Sequence, residues 1–200
     1  KSSSEVIDGL AQGGVGLPDR DYYVEEDAKK KAIREAYAVY VETMFGLIGE
    51  KPEAARKAAG LVMALETRLA KVSQTRVERR DPNTQYNRVD RKGLKEKAPH
   101  FQWDAYFEAL GAKEVTAINV NHVPFFAELS AAAKDVKPDT WKAYLTWSVV
   151  RATIASLPKK LQDAHYEYVS KNLSGAKADR PRWKKCVAFT DADLGEALGR

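Results

Sequence analysis

From Asp27 to Ile48 the apolar residues Ile33, Tyr37, Tyr40, Val41, Met44, Phe45 and Ile48 recur at three- and four-residue intervals. That spacing places them on one stripe of a helix. Asp27 is suited to cap its start and Gly49 to end it. Pro52 then opens a second helix, at a position where a missing N–H costs nothing. Its stripe runs through Ala55, Ala58, Ala59, Val62, Leu65, Leu69 and Val72. Small residues at its N-terminal end predict close packing on the first helix, as an antiparallel pair with a short connection. Gly60 weakens the second helix by about 1 kcal/mol relative to alanine, which predicts a neighbouring backbone close by.

The rest of the pattern is more broken. Residues 1–24 are glycine-rich and contain Pro18, so they are predicted to be irregular apart from a short strand over residues 5–10. Helical periodicity fails between Arg79 and Pro82, and the polar stretch 81–99 is predicted to hold only turns. Asp104 to Leu110 reads as a short helix bounded by Gly111. Ile118 to His122 alternates apolar and polar residues, as a half-exposed strand or extended linker does. Helices follow from Pro124 to Lys134 and from Pro138 to Pro158. The second has Trp141, Tyr144, Leu145, Ser148, Val149, Ala152 and Ala155 as its expected buried face. Two more cover 161–173 and 183–198. The predicted fold is mainly α: an irregular multi-helix domain with a glycine-rich N-terminal loop and at most one or two short strands. Residues 1–24 form an irregular leading segment, and 25–200 a single helical lobe.

Composition adds exclusions more than assignments. No run of 18 apolar residues exists, so no span of a membrane is expected, and no signal-peptide pattern opens the chain. The net charge is +5, with 33 basic and 28 acidic residues intermixed. The basic runs are short (Lys29–Lys31, Arg79–Arg80, Arg180 to Lys185) and read as solvated helix faces, with no nucleic-acid partner. Cys186 is the only cysteine, which excludes an internal disulfide and a cysteine-cluster metal site. It reads as a small buried hydrophobe.

The search for chemistry ends without a site. His100, His122 and His165 are at least 22 residues apart, and none has a second histidine or cysteine at ligand spacing. Gly13-Gly14-Val15-Gly16 is followed by Leu17-Pro18, with neither a helix nor a lysine for phosphate, so it reads as a tight turn needing positive φ. Asp19 and Asp21 flank Arg20; in a turn that triplet reads as a capping and salt-bridge arrangement rather than an acid–base pair. Arg79-Arg80-Asp81-Pro82 and Tyr86-Asn87 read alike. Trp103, Trp141, Trp147 and Trp183, on or beside helices, are expected to pack in the core. The reading assigns no catalytic residue, no metal ligand and no substrate-binding residue.

A set of strings nevertheless recurs in one order along almost the whole chain. They are Gly14-Val15-Gly16-Leu17-Pro18-Asp19-Arg20-Asp21-Tyr22-Tyr23, Arg80-Asp81-Pro82 with Tyr86-Asn87, and Phe101-Gln102-Trp103 before Leu110-Gly111. Trp141-Lys142-Ala143-Tyr144-Leu145-Thr146-Trp147, Arg182-Trp183-Lys184-Lys185-Cys186 and Leu194-Gly195-Glu196-Ala197-Leu198-Gly199 complete them. Together they resemble the N-terminal helical lobe of the neprilysin-type zinc endopeptidases. The resemblance implies a two-lobed enzyme in which this lobe caps an internal cavity and limits entry to short peptides. The other lobe carries the His-Glu-x-x-His helix. Zinc is therefore expected in the full-length parent, none in this chain, and no activity from these residues alone. The implied partners are the C-terminal catalytic lobe of the same protein and short peptide substrates. A helical binding module without peptidase activity is the alternative. Extracellular animal relatives often carry a cysteine where Tyr37 stands, and here Cys186 is expected to be a free thiol. This resembles a bacterial member with a periplasmic, secreted or membrane-anchored parent. A lobe separated from its partner is also expected to expose an apolar surface.

Overall fold

A computed structural model describes residues 7–199 of the chain. Two long helices, α2 (Ala28–Leu47) and α3 (Pro52–Val72), form its backbone. Asp27 caps α2 by accepting from the Lys30 N–H, and Gly49 ends it in the left-handed region at φ 108°. Tyr37 meets Glu66 and Glu42 meets Arg56, so the pair is antiparallel as the stripes predict. Gly60 is exposed, and a Cβ there would meet nothing within 4 Å. No backbone approaches it, contrary to expectation; the glycine only weakens the helix.

A small sheet sits beside this pair. Its order is β1 (Asp8–Leu10), β3 (Ala117–Val120), β2 (Arg88–Asp90), with β1 parallel and β2 antiparallel to the central strand. Residues 5 and 6 of the predicted first strand lie outside the described residues. The fold is mainly α as expected, and β2 adds a third strand to a polar stretch read as turns. Three residues with one half-buried side chain, Val89, are too few to show alternation. The helix that follows, α4 (Arg91–Lys97), was unforeseen for the same reason. Asp90 caps it through the Gly93 N–H, but Leu94 is its only buried residue. The leading segment likewise holds one helical turn, α1 (Asp21–Val24), with Tyr23 buried.

The remaining helices are α5 (Trp103–Ala109), α6 (Val123–Asp135), α7 (Pro138–Thr153), α8 (Lys159–His165) and α9 (Arg182–Leu198). A π-helical stretch, Tyr166–Leu173, continues α8. The buried face of α7 is the predicted one only in part, through the half-buried Trp141 and Tyr144. Ala143, Trp147 and Val150 turn inward, while Leu145 and Val149 are 56% and 61% exposed. Apolar residues surround α7, so periodicity alone does not select a face. The Trp147 indole does, by donating to the buried Tyr37 hydroxyl at 2.8 Å.

Two apolar clusters result. One joins Tyr37, Tyr40, Val41, Met44 and Phe45 of α2 to Ala55, Ala59 and Val62 of α3 and Trp147 of α7. The other joins Leu65 and Leu69 of α3 to Trp103, Phe107, Ile118, Val120, Phe125 and Phe126. No described helix is long and apolar enough to cross a membrane.

Candidate functional site

A buried carboxylate, Glu66, stands 1% exposed on α3 at the centre of a polar network. Its Oε2 accepts from the Tyr23 hydroxyl at 2.7 Å and its Oε1 from the Tyr37 hydroxyl at 3.1 Å. The Tyr23 oxygen in turn accepts the backbone N–H groups of Gly16 at 3.0 Å and Leu17 at 2.8 Å. Burial lifts the Glu66 carboxyl above the usual carboxylate range. The two tyrosine donors and the Arg151 charge pull it the other way. Burial, then the Glu66 charge, pushes both tyrosines far above the usual phenol range. The sequence carries one sign of this group: Glu66 stands four residues after Val62 and three before Leu69, on the apolar stripe itself. A charge there must be hydrogen-bonded to be tolerated.

These bonds pin the glycine-rich segment. The Tyr144 hydroxyl donates to the Gly14 carbonyl and Arg151 to the Val15 carbonyl, each at 2.7 Å. Gly14 takes φ 80°, as a tight turn requires. Gly16 is needed for a different reason: a Cβ there would overlap the Tyr37 hydroxyl. The segment is thus a clasped loop, with the Gly16 and Leu17 N–H groups turned inward to Tyr23 rather than out to a phosphate.

The candidate chemical residues are dispersed into structural roles. Asp19 accepts from the Asp21 N–H at 2.9 Å and pairs with Arg76 at 2.7 Å, while Arg20 reaches the Ala70 carbonyl. That is the capping arrangement expected of the triplet. Asp81 accepts from the Asn83 N–H, and Asn87 binds the Val120 carbonyl. His165 Nδ1 lies 2.8 Å from the Tyr40 hydroxyl, and His122 Nε2 lies 2.8 Å from the Val72 carbonyl. Burial, then the Lys185 charge, holds His165 below its usual range. The His100 backbone N–H donates to the Ser130 hydroxyl. Among the described residues no three His, Cys, Asp or Glu side chains are grouped to hold a metal ion. The donor set here does not fit the zinc site of the family the sequence resembles.

The last helix corrects two expectations. None of the described side chains of α9 is fully buried. Cys186, read as a buried hydrophobe, is exposed. Trp183, read as core, is 64% exposed, and so in large part are Val187 and Leu194. Positions 183, 187 and 194 fall within about 40° of one another on a helix, so they form one apolar stripe. The charges of α9 run against its dipole, with Arg182, Lys184 and Lys185 at the N-terminal end and Asp191, Asp193 and Glu196 toward the other. Between α9 and the α8 region lie two adjoining cavities of about 530 and 540 Å³. Both are lined by Gln162, Asp179, Arg180, Lys185 and Phe189.

Comparison with known proteins supplies the wider context. The model of Peptidase family M13 matches residues 1–200. Endothelin-converting enzyme 1 of Rattus norvegicus is 30% identical over 203 residues, covering 99% of this chain and 26% of that protein. Membrane metallo-endopeptidase-like 1 of Mus musculus is 26% identical over 213 residues, covering 100% and 28%. The zinc metalloprotease Zmp1 of Mycobacterium tuberculosis, solved in complex with an inhibitor, superposes with a TM-score of 0.90 at 30% identity. That match covers 96% of this chain and 29% of Zmp1. The chain therefore spans between a quarter and a third of the length of these relatives.

Proposed function

The chain belongs to peptidase family M13, and from that premise we propose that it is the non-catalytic helical lobe of a zinc-dependent metalloendopeptidase. In this reading the lobe caps the reaction cavity and restricts entry to short peptides. Zinc, when bound by the parent, supplies an activated water for hydrolysis. None of the residues of this chain ligates it. Their part is to hold a rigid wall: α2, α3 and α7 are tied through Tyr37, Glu66 and Trp147, and the clasped glycine loop closes over them.

The observation that carries the reading is the apolar stripe on α9. Trp183, Val187 and Leu194 are large side chains left in solvent on a helix that buries none of its described residues. Large apolar side chains exposed along one helix face are what a contact with another body would use. The catalytic lobe of the same protein is the body proposed here. Helix α9 also gains nothing from its own dipole.

The test compares the purified 200-residue chain with its full-length parent on internally quenched peptides. The parent is expected to cleave them and to lose activity with a chelator, and the isolated chain is expected to be inert. Chelator-sensitive hydrolysis by the isolated chain refutes the assignment. Cleavage of folded proteins by the parent as readily as peptides refutes the size-restricting role.

A further inference from the structure

The net charge of the chain is not spread along it. Residues 159–185 hold eight lysines and arginines against three carboxylates, which accounts for the whole +5; the rest of the chain has twenty-five of each sign. Reading the Arg180 to Lys185 run by itself as a solvated face misses this, because the fold brings Lys159 up to it. Lys159 starts α8 and Arg182 starts α9, and both line one cavity of about 540 Å³ with Arg180 and Lys185.

The acids of this region are already engaged. Asp163 pairs with Lys159, Glu167 with Lys171, and Asp179 with Lys185. Arg180 and Arg182 have no acidic partner or side-chain hydrogen bond among the described residues. Two free guanidinium forks facing a cleft suit carboxylate oxygens, which they can bind bidentately. The second cavity continues the first past the Asp179–Lys185 pair, with Ser170, Tyr166 and Phe189 along it. The two share Arg180, Lys185 and Phe189 and so form one groove, with Lys159 and Arg182 adding positive charge on one side. That shape accommodates a chain of residues better than a compact ion.

We propose that this groove binds an acidic segment of a peptide substrate, with its carboxylates held by Arg180 and Arg182 and a neighbouring apolar side chain against Phe189. The proposal rests on the peptidase reading for the identity of the ligand as a substrate. It makes the groove a selector of sequence, distinct from any size limit set by a cavity.

The experiment uses the 200-residue chain and a fluorescein-labelled peptide of alternating glutamate and alanine, followed by anisotropy. The same peptide with glutamine for glutamate is the comparison. Tighter binding of the acidic peptide, weakening as salt rises, is expected. The double variant Arg180→Glu/Arg182→Glu should lose about tenfold or more in affinity, as expected for two charge-assisted contacts. Both positions are exposed, and an unchanged thermal melt confirms that the variant folds. Lys29→Glu/Lys31→Glu makes the same charge change on an exposed part of α2 and should leave affinity within about twofold, since those charges lie outside the groove. Equal binding of the two peptides, equal loss in the two variants, or preference for duplex DNA or phosphatidylserine vesicles overturns the proposal. Peptide hydrolysis by the parent is measured separately. A parent that cleaves peptides while this chain ignores acidic ones removes the groove and leaves the peptidase reading intact.

Discussion

Replacing Glu66 by leucine tests the network that holds the lobe together. Leucine is close in size, so little of the effect comes from a cavity. The substitution removes the acceptor of two buried hydroxyl protons, those of Tyr23 and Tyr37. An orphaned buried donor costs about 1–3 kcal/mol, so a loss of about 2–6 kcal/mol is expected. Relief of the desolvation of the carboxyl opposes this and favours the lower half of that range. Even so, it is a large fraction of a typical stability of about 5–15 kcal/mol. Adding Tyr37→Phe should not rescue the variant. It removes one orphaned hydroxyl but deprives the Trp147 indole of its acceptor. Tyr23→Phe fares worse, because two backbone N–H groups rely on that oxygen. Urea unfolding followed by tryptophan fluorescence and circular dichroism measures each loss. A Glu66→Leu loss under about 1 kcal/mol, or full recovery on adding Tyr37→Phe, refutes the reasoning, since an orphaned donor cannot cost so little.

Further outcomes follow from single features. Because Glu66 has a raised native pKa, the folded state binds its proton more tightly than the unfolded chain does. Its contribution to stability is fully present at the acid side of the ordinary carboxylate range and is lost as pH rises above that range; Glu66→Gln should flatten this slope in unfolding experiments. Gly16→Ala places a methyl against the Tyr37 hydroxyl and should cost about 1–3 kcal/mol. Gly60→Ala, in an exposed helix interior with open space, should stabilise by about 0.5–1 kcal/mol. Thermal melts of the two alanine variants should therefore move in opposite directions. Cys186 is exposed and should react fully with a thiol reagent in the native chain; protection until unfolding would contradict its position.

What the sequence disclosed depended on how many residues shared one period. The stripes of α2 and α3 extend over about four turns or more each, and cap, stop and pairing were all legible. The turn α1, strand β2 and helix α4 contain one buried side chain or fewer, so no period exists to be read in them. The α7 face was missed in part for the opposite reason: apolar residues surround that helix, and only the tertiary bond from Trp147 to Tyr37 orients it. Cys186 and Trp183 were placed in the core on residue type, but α9 presents both to solvent, and residue type alone does not say which face of a helix is covered. Glu66 was visible as a charge on an apolar stripe, whereas the basic groove was not. It depends on Lys159 and Arg182 coming together across a connection that local patterns do not register.

Helix α3 has one consequence for how the molecule can be divided. It lends Ala55, Ala59 and Val62 to one apolar cluster and Leu65 and Leu69 to the other, like a party wall shared by two rooms. Severing the chain within that wall leaves neither room enclosed. Limited proteolysis should therefore spare residues 55–69 in every persistent product, and unfolding of the two clusters should register as one transition. A minimal folding unit smaller than the pair would have to rebuild this helix from another source.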